Sequence, residues 1–130
     1  LEARDKGLPV PARCMPMSPY YDMEFKGDSM VRNAEVDVLV TREIAQSMAS
    51  TFLGDASPKD PLANPLYADL KGMPPMYIQI GGYEALLDDS TRFETKAKAA
   101  GVDIKIDIYP EMQHGQRRMI PATYLDKPNL

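Results

Sequence analysis

Apolar and polar positions alternate most clearly between residues 76 and 109. Met76, Ile78 and Ile80 alternate with Tyr77 and Gln79, the period of two of a β-strand, and Gly81 and Gly82 end the run. Leu86, Ser90, Phe93, Ala97 and Ala100 then recur at spacings of four and three, which is a helical stripe. Asp88 and Asp89 suit the first turn of that helix, Glu94 and Lys98 are one turn apart, and Gly101 closes it. Ile104, Ile106 and Ile108 alternate with Asp103, Lys105 and Asp107 until Pro110 stops the run. Strand, helix and strand in so short a span predict a βαβ unit with parallel strands, so the fold class is α/β. The polar alternate positions of the second strand predict that it lies at a sheet edge.

Upstream the pattern is weaker. Residues 1–8 read as the end of a helix capped by Gly7. Residues 10–17 hold a short strand confined between Pro11 and Pro16, and residues 18–35 read as a loop with one turn of helix. Ile44, Ala45, Met48 and Phe52 share one face of a helix over 41–53, with Thr41 as N-cap and Gly54 as stop. Five prolines between 55 and 75 predict an ordered loop rather than a linker.

Composition narrows the function classes. Fifteen Lys and Arg against nineteen Asp and Glu give a net charge of −4 with no basic block, which argues against nucleic acid and anionic membrane surfaces. No apolar run approaches a membrane span, and no signal peptide opens the chain. One Cys and one His exclude a disulfide framework and leave too few ligands for a Cys or His metal site. The carboxylates lack calcium-loop spacing, so no metal is expected. The lone Cys fits a reducing compartment and a cytoplasmic location. Leu, Ile, Val and Phe supply 27 of 130 residues, a thin core to which nine Met are expected to contribute as gap fillers. That deficit, and a chain beginning at Leu1, lead us to expect a piece of a larger protein.

In open parallel sheets, sites collect at the carboxyl ends of strands. Glu84 follows one predicted strand and His114 the next. Neighbouring parallel strands are roughly 5 Å apart, so short loops can bring this carboxylate to this imidazole as an acid–base pair. A solvated loop histidine beside an unrelated glutamate fits the same spacing.

Four segments carry a resemblance: SPYYDMEFKGDSM (18–30), DPLANPLYADLKGMPP (60–75), IGGYEALLDDSTRF (80–93) and YPEMQH (109–114). In order and spacing, the chain from Leu1 to His114 resembles the C-terminal part of hormone-sensitive-lipase-like (family IV) carboxylesterases, which have the α/β-hydrolase fold. The resemblance implies that residues 1–130 are the C-terminal part of one such domain, with Glu84 as the triad acid and His114 as the base. Glu in place of the commoner Asp implies a Glu-using branch. Asp88 is the second candidate for the acid, although capping the helix that follows would explain it.

The nucleophile is absent. No two of the eight glycines are four apart, so there is no Gly-x-Ser-x-Gly elbow. Ser29, in Gly27-Asp28-Ser29-Met30, imitates half of one but lacks the last Gly and a strand leading into it. The family's His-Gly-Gly oxyanion loop is missing as well. After His114 the sequence HGQRRMIPATYLDKPNL departs from the amphipathic helix the family has there, with Pro121 and Pro128 interrupting it. Cys14 as nucleophile and Tyr20 and Tyr21 as an acyl pocket are weighed against plain packing, which explains each as well or better.

The resemblance therefore implies a serine carboxylic ester hydrolase that needs no cofactor and acts on small short-chain acyl esters. This chain would supply the acid and the histidine and hydrolyse little by itself. Dimerisation through the edge strand 103–109 also follows from the resemblance. The alternative is a non-catalytic remnant that acts only by association.

Overall fold

The computed structural model describes residues 1–115. Two six-residue strands, β1 (Met76–Gly81) and β2 (Ile104–Tyr109), pair in parallel with Met76 opposite Ile104 and Gly81 opposite Tyr109. Between them runs α4 (Leu87–Ala99), preceded along the chain by α1 (Glu2–Asp5), α2 (Ser29–Arg32) and α3 (Arg42–Leu53). The βαβ unit is thus the one predicted, and the 55–75 loop is ordered around a 3-10 turn at Pro65–Tyr67. Among the described residues no strand pairs with the outer side of β2.

The alternation of β1 and β2 puts their apolar side chains on one face, against α4. Ile78, Ile104, Phe93 and Ala97 pack there with Leu70 and Val102 from the flanking loops. A smaller cluster joins Met30, Ala45, Ile80, Ala85 and Leu86 beside the carboxyl end of the sheet. The Glu94–Lys98 ion pair forms at 2.8 Å, and Gly101 turns the chain at φ +75°. The α4 first turn carries Asp88 and Asp89, and its N-cap position, Leu86, offers no side-chain cap.

Residues 14–18 lie along the other side of β1. Cys14 N–H donates to Pro75 O at 3.0 Å, Tyr77 N–H to Cys14 O at 2.9 Å, Gln79 N–H to Pro16 O at 3.1 Å, and Ser18 N–H to Gln79 O at 2.8 Å. This is a parallel ladder with one rung missing, because Pro16 has no N–H to offer. It survives as two bridges, Cys14 with Met76 and Met17 with Gln79, and so reaches past the proline expected to end it.

Helix α3 forms where predicted, with Thr41 accepting from Ile44 N–H, but of its apolar stripe only Ala45 is buried. Ile44, Met48 and Phe52 are 47%, 58% and 68% exposed, and the small residues Ala45 and Ala49 are buried instead. Ala45 is the α3 residue that packs in the second cluster. The methionines divide similarly: Met30 and Met76 fill core, whereas Met15, Met17 and Met48 are exposed. The reading of the segment after Gly115 lies outside the described residues.

Buried carboxylates order the loop between residues 18 and 40. Asp89 Oδ2 accepts the N–H groups of Tyr21 and Asp22, both at 2.8 Å. Burial pushes the Asp89 carboxyl up to about 6, against those two bonds, and the charge of Asp22 adds to the rise while Arg92 opposes it. Burial also raises Asp22, but hydrogen bonds from Arg92 and the N–H groups of Glu24 and Lys26 outweigh it and hold that carboxyl low. For Asp89 the folded value lies above the ordinary 3.8, so its contribution to stability is present below that pH and lost as pH climbs through about 6. Asp89→Asn keeps one oxygen for both N–H groups. Unfolding in denaturant should show wild type losing stability relative to D89N across that window; equal slopes would mean Asp89 does not titrate there.

Candidate active site

Three parallel backbone segments end at the same edge of the sheet, and each delivers one polar side chain. Residues 14–18 deliver Ser18, the turn after β1 delivers Glu84, and the loop after β2 delivers His114. His114 Nδ1 lies 2.9 Å from Glu84 Oε2. Glu84 is 1% exposed, and its Oε1 accepts from Gly81 N–H at 2.6 Å and from the Ser18 hydroxyl at 2.7 Å. The sequence-predicted pair is therefore brought together.

The loops meet because two residues lack side chains. A Cβ on Gly81 would sit 2.0 Å from Met112 O, and one on Gly82 would sit 2.4 Å from Pro110 O. In that closeness Gly82 N–H donates to Tyr109 O at 2.7 Å and Tyr83 N–H to Met112 O at 3.1 Å. Asn33 reaches in from below, its Nδ2 donating to Gly82 O at 3.0 Å and to Glu84 O at 2.8 Å. Asp37 accepts from Ala85 N–H at 2.8 Å through one oxygen and from Leu39 and Val40 N–H through the other. The backbone around Glu84 is thus held by side chains from residues 33–37.

The His114 imidazole is raised above its ordinary value, chiefly by the hydrogen bond to Glu84. Burial opposes the rise, and the charges of Glu84 and Asp37 add to it. With a carboxylate on Nδ1, the neutral ring carries its proton there and presents the Nε2 lone pair, so the arrangement suits a general base.

The other candidates are engaged elsewhere. The Ser29 hydroxyl is buried, donates to Ala85 O at 2.7 Å and accepts from Asp88 N–H at 2.9 Å. Asp88 does not cap its own helix as expected. Its carboxylate accepts from Ser29 N–H at 2.9 Å and pairs with Arg32 at 3.2 Å, because α2 presents its N-terminus to α4. Cys14 pairs with Met76 at the amino end of β1, about 16 Å of strand away from the site. Tyr21 stacks on Phe93 at 4.6 Å, and the Tyr20 hydroxyl donates to Ala45 O at 3.2 Å, so both serve packing. Among the described residues no group of three or more His, Cys, Asp or Glu is placed to hold a metal, and no helix is long and apolar enough to cross a membrane.

Ser18, Asn33 and Asp37 were not singled out from the sequence. Each acts on backbone or carboxylate atoms distant in the chain, and no local spacing announces such contacts.

The sequence profile of a family described as alpha/beta hydrolase fold matches residues 1–117. The chain belongs to that fold family, in the company of hormone-sensitive-lipase-type esterases. It is 36% identical over 111 residues to an acetyl-hydrolase of Streptomyces hygroscopicus, covering 85% of this chain and 37% of that protein. It is 38% identical over 104 residues to an esterase of Acinetobacter venetianus, covering 79% and 34% respectively. A solved esterase from the bacterial hormone-sensitive lipase family superposes with a TM-score of 0.88 at 43% identity, over 92% of this chain and 41% of that one. The chain therefore spans little more than a third of the length of these curated relatives.

Gly81→Ala should drive the 110–114 loop from the sheet. The expected result is destabilisation on the order of 3 kcal/mol and loss of the hydrogen-bonded Nδ1–H proton signal of His114. An unchanged signal would show that the loop does not depend on this approach.

Proposed function

We propose that residues 1–130 are part of a single α/β-hydrolase domain that hydrolyses short-chain carboxylic esters, and that Glu84 and His114 are its acid and base. The observation that carries the reading is the buried Glu84 carboxylate on His114 Nδ1 at 2.9 Å. Membership in the fold family and the likeness to an acetyl-hydrolase and to esterases support the substrate class.

The serine nucleophile comes from a segment outside these residues, since no elbow occurs within them. His114 Nε2 takes the proton of that serine as its oxygen attacks the ester carbonyl, and Glu84 stabilises the imidazolium that forms. The proton passes to the departing alcohol. Water then attacks the acyl carbon as the same nitrogen takes its proton, and the imidazolium returns that proton to the departing serine oxygen as the acid is released. Such a base works when neutral, so the rate should climb with pH through a midpoint above the ordinary 6.5, in the direction of the His114 shift.

A second reading, association without catalysis, is favoured by the exposed stripe of Ile44, Met48 and Phe52 on α3. One experiment separates the two. The chain is mixed with the complementary, elbow-bearing segment of a relative, and hydrolysis of p-nitrophenyl acetate is followed. The mixture should hydrolyse the ester while each part alone stays at background. H114A should lower the rate on the order of 10³-fold or more, and E84Q should move the pH midpoint down. Hydrolysis indifferent to H114A, or none on mixing, would favour association.

A further inference from the structure

We propose that Ser18 is the positioning residue of the Glu84–His114 pair, tying the acid to the loop that carries the base. The inference rests on the acid–base reading above but is carried by separate contacts. The Ser18 hydroxyl donates to Glu84 Oε1 at 2.7 Å and accepts from Gly115 N–H at 3.3 Å. A single hydroxyl thus stands between the carboxylate and the residue that follows the histidine. The bonds run in one direction, from Gly115 N–H to Ser18 Oγ and from Ser18 O–H to Glu84 Oε1, so each polarises the next.

The second donor on Oε1 has a definite task. The last torsion of a glutamate side chain is broad, and one hydrogen bond leaves the carboxylate plane free to turn. Gly81 N–H at 2.6 Å and Ser18 O–H together fix that plane and direct Oε2 at the imidazole. Oε1 is drawn away from His114 by both donors, so the ring meets one oxygen rather than alternating between two.

The backbone at this position departs from what its side chain prefers. Ser18 has φ +48°, a region that residues with a Cβ seldom adopt, and it is anchored there by Ser18 N–H donating to Gln79 O at 2.8 Å. Gly would relax the backbone but has no hydroxyl. A strained residue kept at the edge of a site, with its one polar atom bridging two others, is the pattern expected of a device that positions its neighbours.

The test reads the pair itself in the intact chain, by proton–nitrogen NMR of His114 in wild type, S18A and S18G. S18A removes the hydroxyl and keeps the backbone strain; S18G removes both, and it guards against a variant that fails to fold. Both should lose the slowly exchanging Nδ1–H signal and move the His114 titration down toward its ordinary value. Wild-type signal and titration in both variants would overturn the proposal. A change in S18A that S18G restores would also overturn it, by assigning the effect to backbone conformation. Because no ester is involved, failure of the mixing experiment and failure of this one are distinguishable.

Discussion

A carboxylate withdrawn from water has to have its charge met by donors, and Glu84 is buried almost completely. It is met by a backbone N–H, a hydroxyl and an imidazole nitrogen, each from a different stretch of chain. Much of the local architecture follows from bringing those three together. The strands must be parallel and in register, so that their carboxyl ends coincide at Gly81 and Tyr109. Residues 14–18 must run alongside β1 although Pro16 leaves the ladder short of one bond. Both residues at the first turn must be glycine, since a Cβ on either would occupy the backbone of the 110–112 turn.

The same chemistry recurs in the irregular stretch between residues 18 and 40. Asp89 holds the N–H groups of Tyr21 and Asp22; Asp22 holds those of Glu24 and Lys26; Asp37 holds those of Leu39, Val40 and Ala85. A loop brought under the sheet edge cannot leave its N–H groups unpaired, and a carboxylate oxygen accepts two at once. This is how a sequence with few large aliphatic residues orders residues 18–40. The acidic balance of the chain is spent partly inside, on backbone, and not only on its surface. The arrangement costs something at neutral pH, since Asp89 ionises against its own burial.

The βαβ unit was legible because its signal is local: period two, then three and four, then two, with glycines at the joints. For Glu84 and His114 the carboxyl-end rule allowed a meeting but left a solvated histidine equally possible, and it was the resemblance of the segments 80–93 and 109–114 that singled the pair out. The face of α3 was not legible. Its stripe of Ile44, Met48 and Phe52 gives the same helical period whether or not anything covers it, and only packing reveals that Ala45 and Ala49 meet the core. Asp88 was misassigned for the same reason, because its partner, Ser29 N–H, lies far back in the sequence. Ser18, Asn33 and Asp37 lie beyond any spacing rule. A hydroxyl or amide whose partners are tens of residues away looks like any loop residue.

The two kinds of interaction in this chain are completed to different degrees. Within the described residues the Glu84–His114 pair has its carboxylate hydrogen-bonded through both oxygens, its imidazole oriented and its loops joined by backbone bonds. The apolar surface is not closed in the same way, with three large side chains of α3 exposed on one stripe beside Val38 and Leu39. Hydrogen bonds are short and directional, so a constellation of them is settled by the few residues that make it. Hydrophobic burial scales with area and needs a second surface. The geometry of the pair rests on contacts within the βαβ unit and residues 14–18 and 33–37, whereas the ester chemistry proposed above needs a nucleophile that these contacts do not include. That separation makes the Glu84–His114 pair measurable in this chain independently of any ester hydrolysis.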